Sequence, residues 1–122
     1  TIHGASAPTG LLATILNLDE MLPCVGQGAI GLETRANDER IASICAKLNH
    51  VETFQAVTAE RAFLRAMGGG CQSPVGAHAT IDGDTLTLKA ISFRDATAKR
   101  SEARRPVGEA AALGEQIAAE LK

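Results

Sequence analysis

Gly68-Gly69-Gly70-Cys71-Gln72-Ser73-Pro74-Val75-Gly76-Ala77-His78-Ala79-Thr80-Ile81-Asp82-Gly83 is the stretch in which the chain changes its period. Upstream, Phe54, Val57, Phe63, Leu64 and Met67 recur at helical spacing, which predicts a helix from about Val51 to Met67. Three consecutive glycines end it, because each loses more backbone freedom on ordering than any other residue. Downstream the period becomes two: Val75, Ala77, Ala79 and Ile81 alternate with Gly76, His78 and Thr80. Asp82-Gly83 reads as a two-residue hairpin turn, after which Leu86, Leu88 and Ala90 carry the alternation back.

Working outward, Asp95 and its neighbours form a further turn, and Ala98 to Arg105 reads as a third strand closed by Pro106. Glu109 to Lys122 follows as an amphipathic helix with Leu113, Ile117 and Leu121 on its buried face. The expected fold class is therefore α+β: a three-stranded antiparallel sheet with helices on one face, its other face open or docked elsewhere. The third strand is basic, with Lys99, Arg100, Arg104 and Arg105. Such a run serves either as an anion site or as an edge strand whose charges discourage pairing with other molecules, and the second is the ordinary use.

Toward the N-terminus, Thr1 to Gly10 is small, polar and loop-like, and Leu11 to Leu18 suggests a short helix ending before Pro23. In Leu22-Pro23-Cys24-Val25-Gly26-Gln27-Gly28-Ala29-Ile30-Gly31-Leu32-Glu33 a Gly-rich bend leads into an expected strand near Ile30. Asn37 or Asp38 is placed to cap a helix bearing Ile41, Ile44, Cys45 and Leu48, which would put Cys45 in a core. His50 stands at the next helix start, where capping or a solvent contact is its expected role, and Glu60 and Arg61 are expected to pair within or beside their own helix.

Composition excludes several classes of function. A net charge of −2 provides no field for nucleic acid or an anionic membrane, and three Phe without Trp or Tyr provide little to stack bases on. A 45% hydrophobic fraction with 21% charged residues argues for a folded core. Cys24, Cys45 and Cys71 are odd in number and lack C-x-x-C spacing, so neither a disulfide framework nor a metal site is expected, and reduced thiols in the cytoplasm are the simplest reading. His3 and His78 show no partners in the sequence.

Taken in order, Leu22 to Gly31, Leu48-Asn49-His50, Glu60-Arg61-Ala62-Phe63-Leu64 and Gly69-Gly70-Cys71-Gln72-Ser73-Pro74-Val75-Gly76 resemble the C-terminal third of porphobilinogen deaminases (hydroxymethylbilane synthases). The resemblance covers roughly residues 18 to 122, and its specificity lies in the joint occurrence of the pieces. It implies that residues 1–49 are a partial segment carrying a leftover strand and helix of the parent enzyme's first domain. Residues 50–122 would be the C-terminal, cofactor-carrying domain. The implied activity is a transferase of tetrapyrrole (porphyrin, heme) biosynthesis, which condenses four porphobilinogen molecules into hydroxymethylbilane with loss of ammonia. The implied cofactor is a dipyrromethane primer, thioether-linked to Cys71.

Gln27 and Gly28 fall in a segment that lines the family's catalytic cleft. A structural reading of the same two residues, as a tight bend with Gln27 exposed, stands equally beside it. The family usually carries Ala where Cys24 stands. The family's catalytic carboxylate and most of its carboxylate-binding cations come from regions with no counterpart here, so no catalytic residue is assigned and this chain alone is expected to be inactive. Porphobilinogen is the implied substrate of the complete enzyme. Self-association through an unpaired strand near Ile30 is a further expectation. The competing reading is a non-catalytic α+β module that binds a protein partner through its open sheet face.

Overall fold

The computed structural model describes residues 8–70 and 72–122. Its elements are α1 (Glu39–Leu48), α2 (Val51–Ala66), β1 (Val75–Asp82), β2 (Thr85–Ser92), β3 (Lys99–Pro106), a short 3-10 turn (Val107–Glu109) and α3 (Ala110–Leu121). The strands form one antiparallel sheet in the order β1-β2-β3. Ala77 lies opposite Ala90, and Leu88 opposite both Ala79 and Ala103, so the apolar positions of all three strands share a face. Helices α2 and α3 lie on that face and against each other. Phe63, Met67, Leu86, Leu88, Leu113 and Ile117 make up the buried centre. The α+β class and helix-covered sheet expected from the two periodicities are what the chain forms.

The hairpin turn is displaced by one residue from the expected Asp82-Gly83. Asp82 pairs with Thr85, which leaves Gly83-Asp84 as the loop. Only Gly83 takes positive φ (57°), the pattern of a turn that needs glycine at its first central position.

The N-terminal expectations fare differently. Residues 11–18 form no helix: Leu12 is 100% exposed and Ile15 82%. So short a helix is not self-supporting in water, and nothing is packed on this one. No strand forms near Ile30, which is 91% exposed and has no sheet neighbour to satisfy its backbone. Helix α1 does form, with Asp38 as its cap accepting from the Ile41 N–H at 3.1 Å. It contains no buried residue, however, so Cys45 is half-exposed and not the core thiol expected from its spacing. None of the described residues before Val51 is buried.

The segment from Asn17 to Pro23 nevertheless lies against the sheet as a strap. Lys89 pairs with Asp19 at 2.6 Å, and Arg100 donates to the carbonyls of Asp19 (3.0 Å) and Glu20 (3.4 Å). Gly76 supplies clearance: a Cβ there would stand 3.0 Å from the Leu22 carbonyl oxygen. The Lys89 hydrogen bond, then its charge, hold the Asp19 carboxyl below the ordinary 3.8, and the same contact raises Lys89 above 10.5. The depressed carboxyl contributes at pH above its unfolded value and is lost as pH falls through its folded one. The raised ammonium contributes below its unfolded value and is lost as pH rises through its folded one. Both groups are exposed, so salt screens the pair. Protection of the amides at residues 17–22, taken relative to their intrinsic exchange rates, should therefore be greatest between about pH 4 and pH 10 at low salt, and should fall outside that window or in molar salt. A rate independent of pH and salt, beyond the intrinsic chemistry, would dismiss the strap.

Candidate functional site

Helix α2 runs directly into the glycine loop. His50 caps its start, with Nδ1 accepting from the Thr53 N–H at 3.3 Å. Its end is a Schellman motif: the Gly68 N–H donates to Arg65 O (2.9 Å) and the Gly69 N–H to Leu64 O (3.1 Å), with Gly68 at φ 72°. Arg94 donates to the carbonyl of Met67 at the same corner. Beyond the loop, the Ser73 N–H donates to Gly70 O (3.0 Å), and Pro74 O accepts from Phe93 as the sheet begins.

The three glycines have three different causes. Gly68 needs the left-handed conformation that ends the helix. At Gly69 a Cβ would stand 1.9 Å from Ser73 Oγ and 3.1 Å from Leu64 Cδ1, so close packing forbids a side chain. At Gly70 φ is ordinary and a Cβ would meet nothing within 4 Å. The glycine next to position 71 is thus the one that neither backbone conformation nor packing explains. Cys71 itself lies outside the described residues, as does His3.

Gln27 and Gly28 sit in consecutive tight turns, in which Gln27 N donates to Cys24 O and Ala29 N to Gly26 O, both at 3.1 Å. Both residues are exposed, as is Cys24. Three of the four cations of β3 are engaged locally, Lys99 with Asp95 and Arg105 with Glu109, both at 2.6 Å, and Arg104 with Glu102 at 3.6 Å, while Arg100 holds the strap. Arg105 also donates to Gln116 at 2.9 Å, and Ser101 donates to Glu120. The hydrogen bond from Ser101, then that from Gln116, lowers the Glu120 carboxyl from its ordinary value. A charged edge strand tied to its own helix describes β3 better than an anion site.

Sequence reasoning missed Glu60. It does not pair along its helix. It is 5% exposed, and its two oxygens accept from separate segments: Gly26 N–H at 2.7 Å and Ala79 N–H at 2.8 Å. His78 Nδ1 stands 4.0 Å away. A carboxylate set among small residues on the inward side of a helix was the available signal, since such a group is buried only when paired. Among the described residues, no cluster of His, Cys, Asp or Glu has the arrangement of a metal site, and no helix is long and apolar enough to cross a membrane.

A three-stranded antiparallel α+β module, with helices on one face of its sheet, a strap against the other and a leading helix that ends in a glycine stop, is the class of protein defined by these features. The family model for the porphobilinogen deaminase C-terminal domain matches residues 54–122. The porphobilinogen deaminase of Roseiflexus sp. (strain RS-1) is 42% identical over 113 residues, covering 88% of this chain and 37% of that protein. The chain belongs to the porphobilinogen deaminase family, and it spans little more than a third of the length of this curated relative.

Proposed function

We propose that this chain supplies the cofactor-attachment module of a porphobilinogen deaminase, with Cys71 as the anchor. The complete enzyme would condense four porphobilinogen molecules into hydroxymethylbilane, releasing ammonia. The observation that carries the reading is Gly70: a Cβ there would meet no described residue within 4 Å and its φ is not positive, so neither packing nor backbone conformation calls for glycine next to Cys71 in the sequence. A bulky ligand on a neighbouring sulfur needs such clearance. A thiol suits the attachment, since its sulfur can bond to the methylene carbon of porphobilinogen as ammonia leaves, giving a thioether stable to water. A bound dipyrromethane would serve as the primer for chain growth.

Attachment rests on Cys71 alone, and retention of the ligand would need further groups. The acetate and propionate groups of such a ligand call for a cluster of cations; on β3, Lys99, Arg104 and Arg105 already face Asp95, Glu102, Glu109 and Gln116, and Arg100 donates to the carbonyls of Asp19 and Glu20. Gln27 and Gly28 remain candidates for polar contacts to the ligand, and the division into residues 1–49 and 50–122 accords with the absence of buried residues among those described before Val51. The isolated chain is accordingly proposed to be inactive and free of cofactor.

Intact-mass measurement after incubation with porphobilinogen tests both parts. The chain alone should gain nothing. A chimera in which residues 50–122 replace the matching stretch of the Roseiflexus enzyme should gain a dipyrrole increment that Cys71→Ala abolishes. An increment surviving that substitution would exclude Cys71 as the anchor, and one on the isolated chain would overturn its inactivity.

A further inference from the structure

We propose that Glu60 is a positioning residue: it clasps the Cys24–Gly28 turn to the helix that leads into the glycine loop. This rests on the reading above, in which that turn and that loop belong to one site.

The chemistry of the clasp requires a carboxylate. Gly26 N–H and Ala79 N–H approach different oxygens of the same group, at 2.7 and 2.8 Å. Glutamine offers one acceptor oxygen and would turn an N–H donor toward the second N–H. The two donors are unequal in their other supports. Ala79 belongs to β1 and is held in register opposite Leu88. Gly26 lies in a turn among half-buried and exposed residues, with Val25 as its one contact to the core.

The contact also explains how the outer edge of β1 is covered. Ala77 N–H donates to Pro23 O at 3.0 Å and Ala79 N–H to Glu60, so the strap and the clasp together occupy donors that would otherwise invite a foreign strand. Because Glu60 lies on α2, whose last turn is locked to Gly68 and Gly69, the turn bearing Gln27 and Gly28 is registered to the glycine loop through one rigid helix. Besides the carboxylate, the described contacts that hold the turn are the Ala77 N–H to Pro23 O bond before it and Val25 against the core, and neither reaches α2 by a hydrogen bond.

Amide exchange on the intact chain tests the clasp. In the native chain the Gly26 amide should be protected at least roughly tenfold relative to a free amide. In Glu60→Gln the single oxygen should stay with Ala79, releasing Gly26, while Leu88 in the central strand keeps its protection. A nitroxide on Cys24, with Cys45→Ser and Cys71→Ser removing the other thiols, should become more mobile in the same variant. An unprotected Gly26 amide in the native chain overturns the proposal, and decides the matter even if the variant does not fold. So does a Glu60→Gln chain with Gly26 and the nitroxide unchanged, or one in which Leu88 loses protection equally with Gly26, which would make Glu60 a residue of general stability. A chimera carrying no adduct on Cys71 would remove the functional reading and leave the clasp standing.

Discussion

Phe63→Ala is expected to leave the C-terminal module largely unfolded at moderate urea, at a cost of about 3–5 kcal/mol. Phe63 is fully buried between α2 and the sheet, in the same cluster as Met67, Leu88, Leu113 and Ile117. It is one of only three aromatic residues, and the other two, Phe54 and Phe93, are 62% and 56% exposed. The strand residues Ala77, Ala79 and Ala90 of this cluster are small, and its larger members Met67, Leu88, Leu113 and Ile117 are already fully buried and packed, so the space is only partly refilled. A domain of this size holds only about 5–15 kcal/mol in total, so the loss is a large fraction of it. Equilibrium urea unfolding followed by circular dichroism measures it, and a loss under about 1 kcal/mol would show that Phe63 is not the centre of the core.

Gly114→Ala should destabilise the module by about 1–3 kcal/mol, opposite in sign to the usual effect of that substitution within a helix. In a helix without neighbours, alanine in place of glycine stabilises by about 1 kcal/mol. Here a Cβ at position 114 would stand 2.3 Å from the Ala59 carbonyl oxygen, 2.6 Å from the Phe63 nitrogen and 2.8 Å from Ala62 Cβ. Two of those three atoms are backbone, so no rotamer change relieves the contact and α3 must move away from α2. The separation would also loosen Leu113 and Ile117, both fully buried beside it. The sign decides the test: an increase in thermal midpoint would mean that the two helix backbones do not touch.

The elements from Val51 onward were legible because each carries its own local signal. The helical spacing of α2 and α3, the alternation along β1 and β2, and the glycine stop between them all follow from which face of a repeating backbone meets the core. The hairpin missed by one residue because Asp82, Gly83 and Asp84 all suit turns, and only the pairing of Asp82 with Thr85 selects among them. The cap of α1 was legible as Asn37 or Asp38, and geometry chose Asp38 while Asn37 took a left-handed φ of 67°. The expected helix at 11–18 and strand near Ile30 failed for a common reason. Hydrophobic pattern predicts an element only if some surface is present to bury it, and none of these residues is buried.

For the candidate site, the chain's own order of residues determined the Gly68–Gly70 stop, the cysteine beyond it and the basic edge of β3. Tertiary structure alone decided which glycine serves which purpose, because Gly68, Gly69 and Gly70 are chemically identical and differ only in φ and in what stands beside them. It also decided the role of Glu60, whose partners lie 34 and 19 residues away. Periodicity records which way a residue faces; which distant N–H arrives there depends on how the finished layers meet.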